Sequence, residues 1–114
     1  MPRVKESEFF GFNDGVLDIC EVAGRAIKRT KYRRLRFGNQ TVGMRRFWEA
    51  KAASYEVDAL VSILPVLGIT TMDLCIIESQ QYKILQVQNK FDAYPPCLLL
   101  SLSREPVLYR DERE

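Results

Sequence analysis

Apolar residues recur at every second position in two long segments, and this alternation constrains the fold more than any other feature of the chain. Between Pro96 and Arg104, Leu98, Leu100 and Leu102 share one face. Between Ser54 and Leu64, five apolar residues share one face: Tyr55, Val57, Ala59, Val61 and Ile63. Because successive side chains of a strand point to opposite faces of a sheet, both segments are predicted to be strands with a buried face.

Three further strands are predicted from turn residues and apolar runs. Gly15–Val22 is expected to be an early strand because a turn-like segment precedes it. Thr71–Glu78 and Gln81–Asp92 are rich in apolar residues and are predicted to form a hairpin with its turn at Ser79-Gln80. The apolar face of the second of these segments changes just after Ile84, which predicts a β-bulge at that point.

The segment Thr41–Ala52 allows two interpretations. Alternating apolar residues predict a strand as far as Trp48. From Trp48 onward the residues are also good helix formers, so the end of the segment remains open between strand and helix.

Turn residues divide the chain at short intervals. They lie at Gly24, Gly38-Asn39, Pro65–Gly68 and Tyr94–Pro96. Strands of this spacing predict an all-β fold, a small antiparallel β-barrel of about six strands with a basic loop between early strands. The 114 residues are expected to form a single domain, residues 1–114, with a barrel core at about 15–104 and flexible ends at 1–12 and 108–114. The predicted core contains Trp48, Val57, Val61, Ile76, Ile84, Leu98 and Leu100.

Positive charge is concentrated in one window. Between Arg25 and Lys51 the chain has ten of its seventeen basic residues and a single acid, Glu49, which gives the window a formal charge of +9. The rest of the chain has seven basic and fourteen acidic residues, a formal charge of −7. A field of one sign on one part of a protein selects its partners and orients the protein on them.

This basic window is the candidate functional element, and we expect it to contact DNA in a channel or an acidic protein partner. The candidate contact residues are Arg25, Lys28, Arg29, Lys31, Arg33, Arg34, Arg36, Arg45 and Arg46. Aromatic residues interleave with them, and arginine together with aromatic rings can hold phosphates and stack on bases. The alternative is a solvated strand face beside core aromatic residues.

The sequence argues against an enzyme. It contains no histidine, which removes the usual general base and the commonest metal ligand. The three cysteines, Cys20, Cys75 and Cys97, lie in apolar stretches without CxxC spacing, so we expect buried core thiols rather than a metal or redox site. We expect no catalytic residues, no cofactor and no metal.

No membrane association is expected from the sequence. No apolar run approaches the ~20 residues of a transmembrane helix. The first residues are charged and lack the apolar stretch of a signal peptide, so the protein is expected to be intracellular.

Two stretches resemble a known family. The segments Arg36–Lys51 and Gln81–Leu102, with the spacing between them, are similar to the small head–tail connector proteins of tailed phages, also called head completion or stopper proteins. The resemblance is to the versions in phages and defective prophages of Gram-positive bacteria. In that family a strand ending in Arg-Arg-aromatic precedes a Tyr-Lys-Ile strand and a final leucine-rich strand. The resemblance covers roughly residues 15 to 104.

The resemblance implies a structural protein of the virion neck, present in the bacterial cytoplasm during assembly. It implies a small β-barrel that is a monomer when alone. On assembly the barrel would form a homo-oligomeric ring against the portal or adaptor ring and the tail completion proteins. A loop between early strands would point toward the channel and contact packaged DNA without reading its sequence. It implies no enzymatic activity, no cofactor and no membrane partner. Here the stretch Ala23–Tyr32 departs from the family in being short and very basic.

A function of another class fits the same residues. A small OB- or SH3-like barrel binding nucleic acid or a protein partner in solution would also need a basic surface. Binding of DNA by the isolated chain with a steep salt dependence would favour that function, and ring formation only with portal-type partners would favour the connector.

Overall fold

The protein is all-β in the residues that its computed structural model describes, 11–40, 57–91 and 95–113. Seven strands occur in these ranges, and no helix does. The strands are β1 (Gly15–Ala23), β2 (Ala26–Asn39), β3 (Ala59–Ile63), β4 (Leu74–Ile77), β5 (Gln80–Lys90), β6 (Cys97–Arg104) and β7 (Arg110–Asp111).

Six of the strands form a closed ring of hydrogen-bonded neighbours. The order is β1-β4-β5-β6-β3-β2, and β2 pairs back onto β1. Every pairing around the ring is antiparallel. The short strand β7 adds to β2 in parallel, outside the ring. Each strand of the ring therefore has hydrogen-bonded neighbours on both edges.

The predicted hairpin and bulge are confirmed. Strands β4 and β5 pair as a hairpin, but its turn is at Glu78-Ser79, one residue earlier than predicted. Both residues have positive φ, 50° and 67°, the conformation that lets a two-residue turn follow the twist of its strands. The register of β5 against β6 shifts between Ile84 and Gln86, where the change of apolar face predicted a bulge.

The core fills the ring. All six ring strands contribute to one buried cluster, in which Leu98, Leu100 and Leu102 of β6 pack with Val61 and Ile63 of β3. The opposite face of these two strands forms a second cluster of Leu60, Cys97 and Leu99, with Phe12 against it. Since both faces of β6 are covered, its alternation separates two buried environments rather than core from solvent.

The predicted core residues are mostly buried. Val57, Val61, Ile84, Leu98 and Leu100 are all at most 4% exposed, as predicted. Ile76 is only half-buried and packs in a third cluster, with Cys20, Ile27 and Leu74, rather than in the interior. The neighbouring residue Cys75 belongs to the interior cluster. Because successive side chains of a strand point to opposite faces, Ile76 points away from the interior. Trp48 and the whole segment Thr41–Ala52 lie outside the described residues.

Three local predictions were wrong. The basic loop expected between early strands is strand β2, which follows β1 after the short turn at Gly24-Arg25. The break predicted at Gly38-Asn39 is the paired end of β2. Glycine is needed at position 38 because a Cβ there would lie 1.9 Å from the Gly11 carbonyl oxygen. The end expected to be flexible includes β7, paired to Ala26 and Ile27.

Leu100 tests the placement of the core. Its side chain is fully buried, so Leu100→Ala is expected to lower the free energy of unfolding by roughly 2–5 kcal/mol through lost burial and a cavity. Leu67→Ala is the matched control, since Leu67 is 88% exposed and exposed substitutions usually change stability by less than about 0.5 kcal/mol. Urea denaturation measures both, and equal losses would contradict the assignment of Leu100 to the core.

Candidate functional site

Strand β2 is longer than its partner and carries three one-residue bulges. Against β1, the pairing passes from Leu35 directly to Tyr32, and the register shifts twice more toward the turn. Each shift places one extra residue in β2: one of Arg33 and Arg34, then Lys31, then Lys28. The extra residues are therefore all basic. Bulges bend a strand and re-aim its side chains, so the basic residues leave the regular alternation of the sheet.

Asp18 of β1 holds the first bulge. Arg34 has a positive φ of 58°, a conformation that costs a residue with a side chain about 1 kcal/mol. The Arg34 amide N–H donates a hydrogen bond to Asp18 Oδ1 at 2.9 Å, which helps to offset that cost. Consequently Arg33 and Arg34 are both exposed at the bulge rather than alternating between core and solvent.

Four of the nine predicted contact residues are tied to partners within the fold. Arg25 donates to the Val107 carbonyl and lies 4.0 Å from the centre of the Tyr109 ring. The other three form ion pairs: Lys28 with Glu112 at 2.8 Å, Arg29 with Glu21, and Lys31 with Asp73 at 2.9 Å. These residues belong to strand β2 and the short turn that precedes it, not to a long loop.

Three of the predicted contact residues have no such partner. Arg33, Arg34 and Arg36 are exposed on β2, and none forms an ion pair with another residue of the described ranges. Arg45 and Arg46 lie outside those ranges. The structure thus brings seven of the nine residues together along β2 and its turn, and divides them into a paired group near the turn and an unpaired group farther along.

Lys31 also fixes the connection between β3 and β4. Its ammonium contacts Asp73 and donates to the Gly68 carbonyl at 2.8 Å. Asp73 is 6% exposed, and its carboxylate also accepts from the Thr70 amide at 2.9 Å. The neighbouring Tyr32 hydroxyl donates to the Leu67 carbonyl. One partly buried ion pair therefore attaches this loop to the basic strand.

The C-terminal strap, Tyr109–Arg113, lies against β2 and was not recognised from the sequence. Both main-chain groups of Tyr109 bond to the Gln81 side chain, at 2.7 and 3.0 Å. The Arg113 guanidinium contacts side chains of the strap, β1 and β2: Asp111, Asp18, Cys20 and Thr30. The only sequence signal for this docking is Tyr109, an aromatic residue just before a charged end.

The three cysteines are buried, as predicted. Burial raises the pKa of Cys75 strongly, and it raises the pKa of Cys20 despite the opposing effect of the nearby Arg113 guanidinium. A thiol with a raised pKa is a poor nucleophile and a poor metal ligand.

The described residues contain no group of three or more metal-binding side chains. No helix of membrane-spanning length and apolarity occurs among residues 11–40, 57–91 and 95–113.

Comparison of the chain with protein-family models, curated proteins and solved structures found no match.

The Lys31–Asp73 pair generates a stability prediction. Asp73→Ala removes the counter-ion of a partly buried ammonium, which keeps only the Gly68 carbonyl, and the acceptor of the Thr70 amide. We therefore expect a loss of about 3 kcal/mol in the free energy of unfolding. Asp73→Asn keeps an oxygen for the Thr70 amide but removes the charge. The free energy of unfolding of this variant should lie between those of the Ala variant and wild type. Urea denaturation measures all three chains, and an Ala variant as stable as wild type would show that the pair does not hold the loop.

The strap should loosen in acid. Hydrogen bonds from Arg113 hold the pKa of Asp111 below its ordinary value of 3.8, and Lys28 holds the pKa of Glu112 below 4.5. The stabilisation from these carboxylates is present above their ordinary pKa values and is lost as the pH falls through the lower folded values. We expect NMR contacts between Arg25 and Tyr109 to weaken as the pH falls from about 5 to about 2. Loss of the Leu100 methyl contacts first would mean instead that the ring unfolds.

Proposed function

We propose that the protein is a structural subunit of the neck of a tailed phage or a defective prophage, where it joins the DNA-filled head to the tail. In this proposal the closed ring of six strands is a small antiparallel β-barrel, and copies of it form a larger ring between the portal or adaptor ring and the tail completion proteins. The protein would be found in the virion neck, and in the bacterial cytoplasm during assembly. No catalytic or cofactor role is part of the proposal.

The observation that carries the proposal is the unpaired arginine group on β2. Arg33, Arg34 and Arg36 lie within four residues on an ordered strand, while nearby basic residues are neutralised by Glu21, Glu112 and other groups. Adjacent like charges repel one another, so a folded surface that keeps them together is best stabilised by an anionic partner. Packaged DNA and the acidic surface of a neighbouring subunit are the two partners that a neck protein offers.

The rigid attachment of these arginines supports a structural role. They belong to a strand of the ring, and the Asp18 carboxylate fixes the local backbone at Arg34. Side chains positioned by a sheet point the same way in every copy of the protein. Such side chains suit identical contacts repeated around a ring better than binding that requires a change of shape. The chain outside the basic window has a formal charge of −7, of which Glu21, Asp73 and Glu112 pair with the window itself. Acidic residues beyond these three can support contacts of opposite sign between neighbouring copies.

A small barrel that binds nucleic acid in solution is the second candidate. The same unpaired arginines favour it, because phosphate contacts need no base-specific geometry. The two candidates differ in the dependence on partners: a solution protein binds alone, whereas a connector acts only within an assembled particle.

Charge reversal tests the proposal. The triple variant Arg33→Glu, Arg34→Glu, Arg36→Glu should keep the fold, because exposed side chains contribute little to stability, and should prevent the joining of heads to tails or the retention of DNA. Electron microscopy and DNA content of particles from a complemented deletion strain measure the effect. DNA-filled heads without tails indicate a docking surface, and emptied heads indicate contact with the packaged DNA.

A second triple variant, with lysine at the same three positions, is the matched control because it retains the charge and should restore normal particles. A thermal denaturation curve checks that the glutamate variant is folded. Normal tailed particles from a folded glutamate variant would contradict the proposal and leave the arginines as a solvated strand face.

A further inference from the structure

A cleft lies between β2 and the C-terminal strap, at the junction of the paired and unpaired basic residues. Its volume is about 420 Å³. The lining residues are Lys28, Arg29, Thr30, Arg33, Glu112 and Arg113. The cleft is therefore lined by four basic side chains, one hydroxyl group and a single carboxylate. Thr30 and Arg113 were not among the residues predicted from the sequence.

The basic residues of the cleft differ in what they offer a ligand. Arg113 is committed to Asp111, Asp18 and Thr30, so it contributes charge and a fixed wall rather than spare hydrogen-bond donors. Arg33 forms no ion pair within the described residues and can turn its guanidinium to a ligand. Lys28 is engaged by Glu112, but its side chain is 50% exposed and the pair faces solvent. Exposed pairs of this kind are weak and exchange readily.

We propose that this cleft binds a phosphate group of a nucleic-acid backbone, and that Glu112 is an intramolecular competitor for the same place. A phosphate diester has several acceptor oxygens, so cations and a hydroxyl group that converge from two elements suit it well. The Glu112 carboxylate holds Lys28 at 2.8 Å, and in this proposal an incoming phosphate replaces it. This inference rests on the proposed role of β2, and it names the ligand and its residues.

The neighbouring surface favours nucleic acid over an isolated ion. Arg34 and Arg36 continue along β2 from the cleft, so a ligand with repeated negative charges meets further cations beyond its first phosphate. Counterion release from such contacts makes the affinity fall with salt in proportion to the number of phosphates bound. The cleft thus supplies one defined contact within a longer electrostatic surface.

Fluorescence anisotropy with a labelled DNA duplex, measured over a series of salt concentrations, tests the inference on the full chain. Arg33→Gln should weaken binding and reduce the slope of log affinity against log salt by about one. Arg36→Gln is the matched control and should have the smaller effect. Arg36 is exposed on the same strand and forms no ion pair within the described residues, but it does not line the cleft. Glu112→Gln removes the competitor and should tighten binding by roughly two- to fivefold, the factor expected from losing one exposed pair.

Two competing ligands complete the experiment. Poly-glutamate and inorganic phosphate should each displace the duplex only at far higher concentration than unlabelled DNA. Displacement by poly-glutamate at the concentration of DNA overturns the assignment to phosphate, and tight displacement by inorganic phosphate overturns the assignment to a nucleic-acid backbone.

The variants also separate this inference from the proposed function. Equal losses in Arg33→Gln and Arg36→Gln, or no tightening in Glu112→Gln, overturn the cleft while leaving the basic surface of β2 in place. Absence of DNA binding by the wild-type chain also overturns the cleft. DNA binding by the isolated chain is also what the second candidate, a barrel acting in solution, would show. The choice between the two functions therefore depends on whether particles with the glutamate triple variant join heads to tails.

Discussion

Closure of the ring depends on strand β2, which must pair along both of its edges. Phe37 pairs with Gly15 of β1 on one edge and with Ile63 of β3 on the other. Near its beginning, β2 also pairs with β7 of the strap. The nine residues of β1 lie opposite twelve residues of β2, Ala26–Phe37, so a regular β2 would not stay in register with β1. The three bulges absorb the difference, and the extra twist and bend that bulges introduce help a sheet to curve back on itself.

The position of the basic residues follows from that constraint. An extra residue in a bulge has no partner across the sheet and need not point into the core, so a long charged side chain is tolerated there. Lys28, Lys31 and the Arg33-Arg34 pair occupy these places. Carboxylates neutralise Lys28 from the strap and Lys31 from the loop before β4. The Arg33-Arg34 pair has no such carboxylate within the described residues.

The same bulges limited what the sequence could predict. The strands containing Leu100 and Val61 were predicted because apolar residues recur at every second position along them, although the structure buries both of their faces. Strand β2 loses that period at each extra residue, so its basic run was taken for a loop. The strap is held by main-chain pairing and by the side chain of Gln81. Such contacts depend on residues distant in sequence and leave no local pattern.

The basic surface is therefore coupled to the architecture and is not an independent addition to it. Asp18 shows the coupling most directly: one carboxylate oxygen fixes the bulge at Arg34, and the other accepts from Arg113 of the strap. Any change that regularised β2 would return its basic residues to the alternation of the sheet and direct some of them toward the interior. Burial of an unpaired charge is costly. The bulges of β2 therefore serve two purposes, because they let the ring close and they keep the arginines exposed.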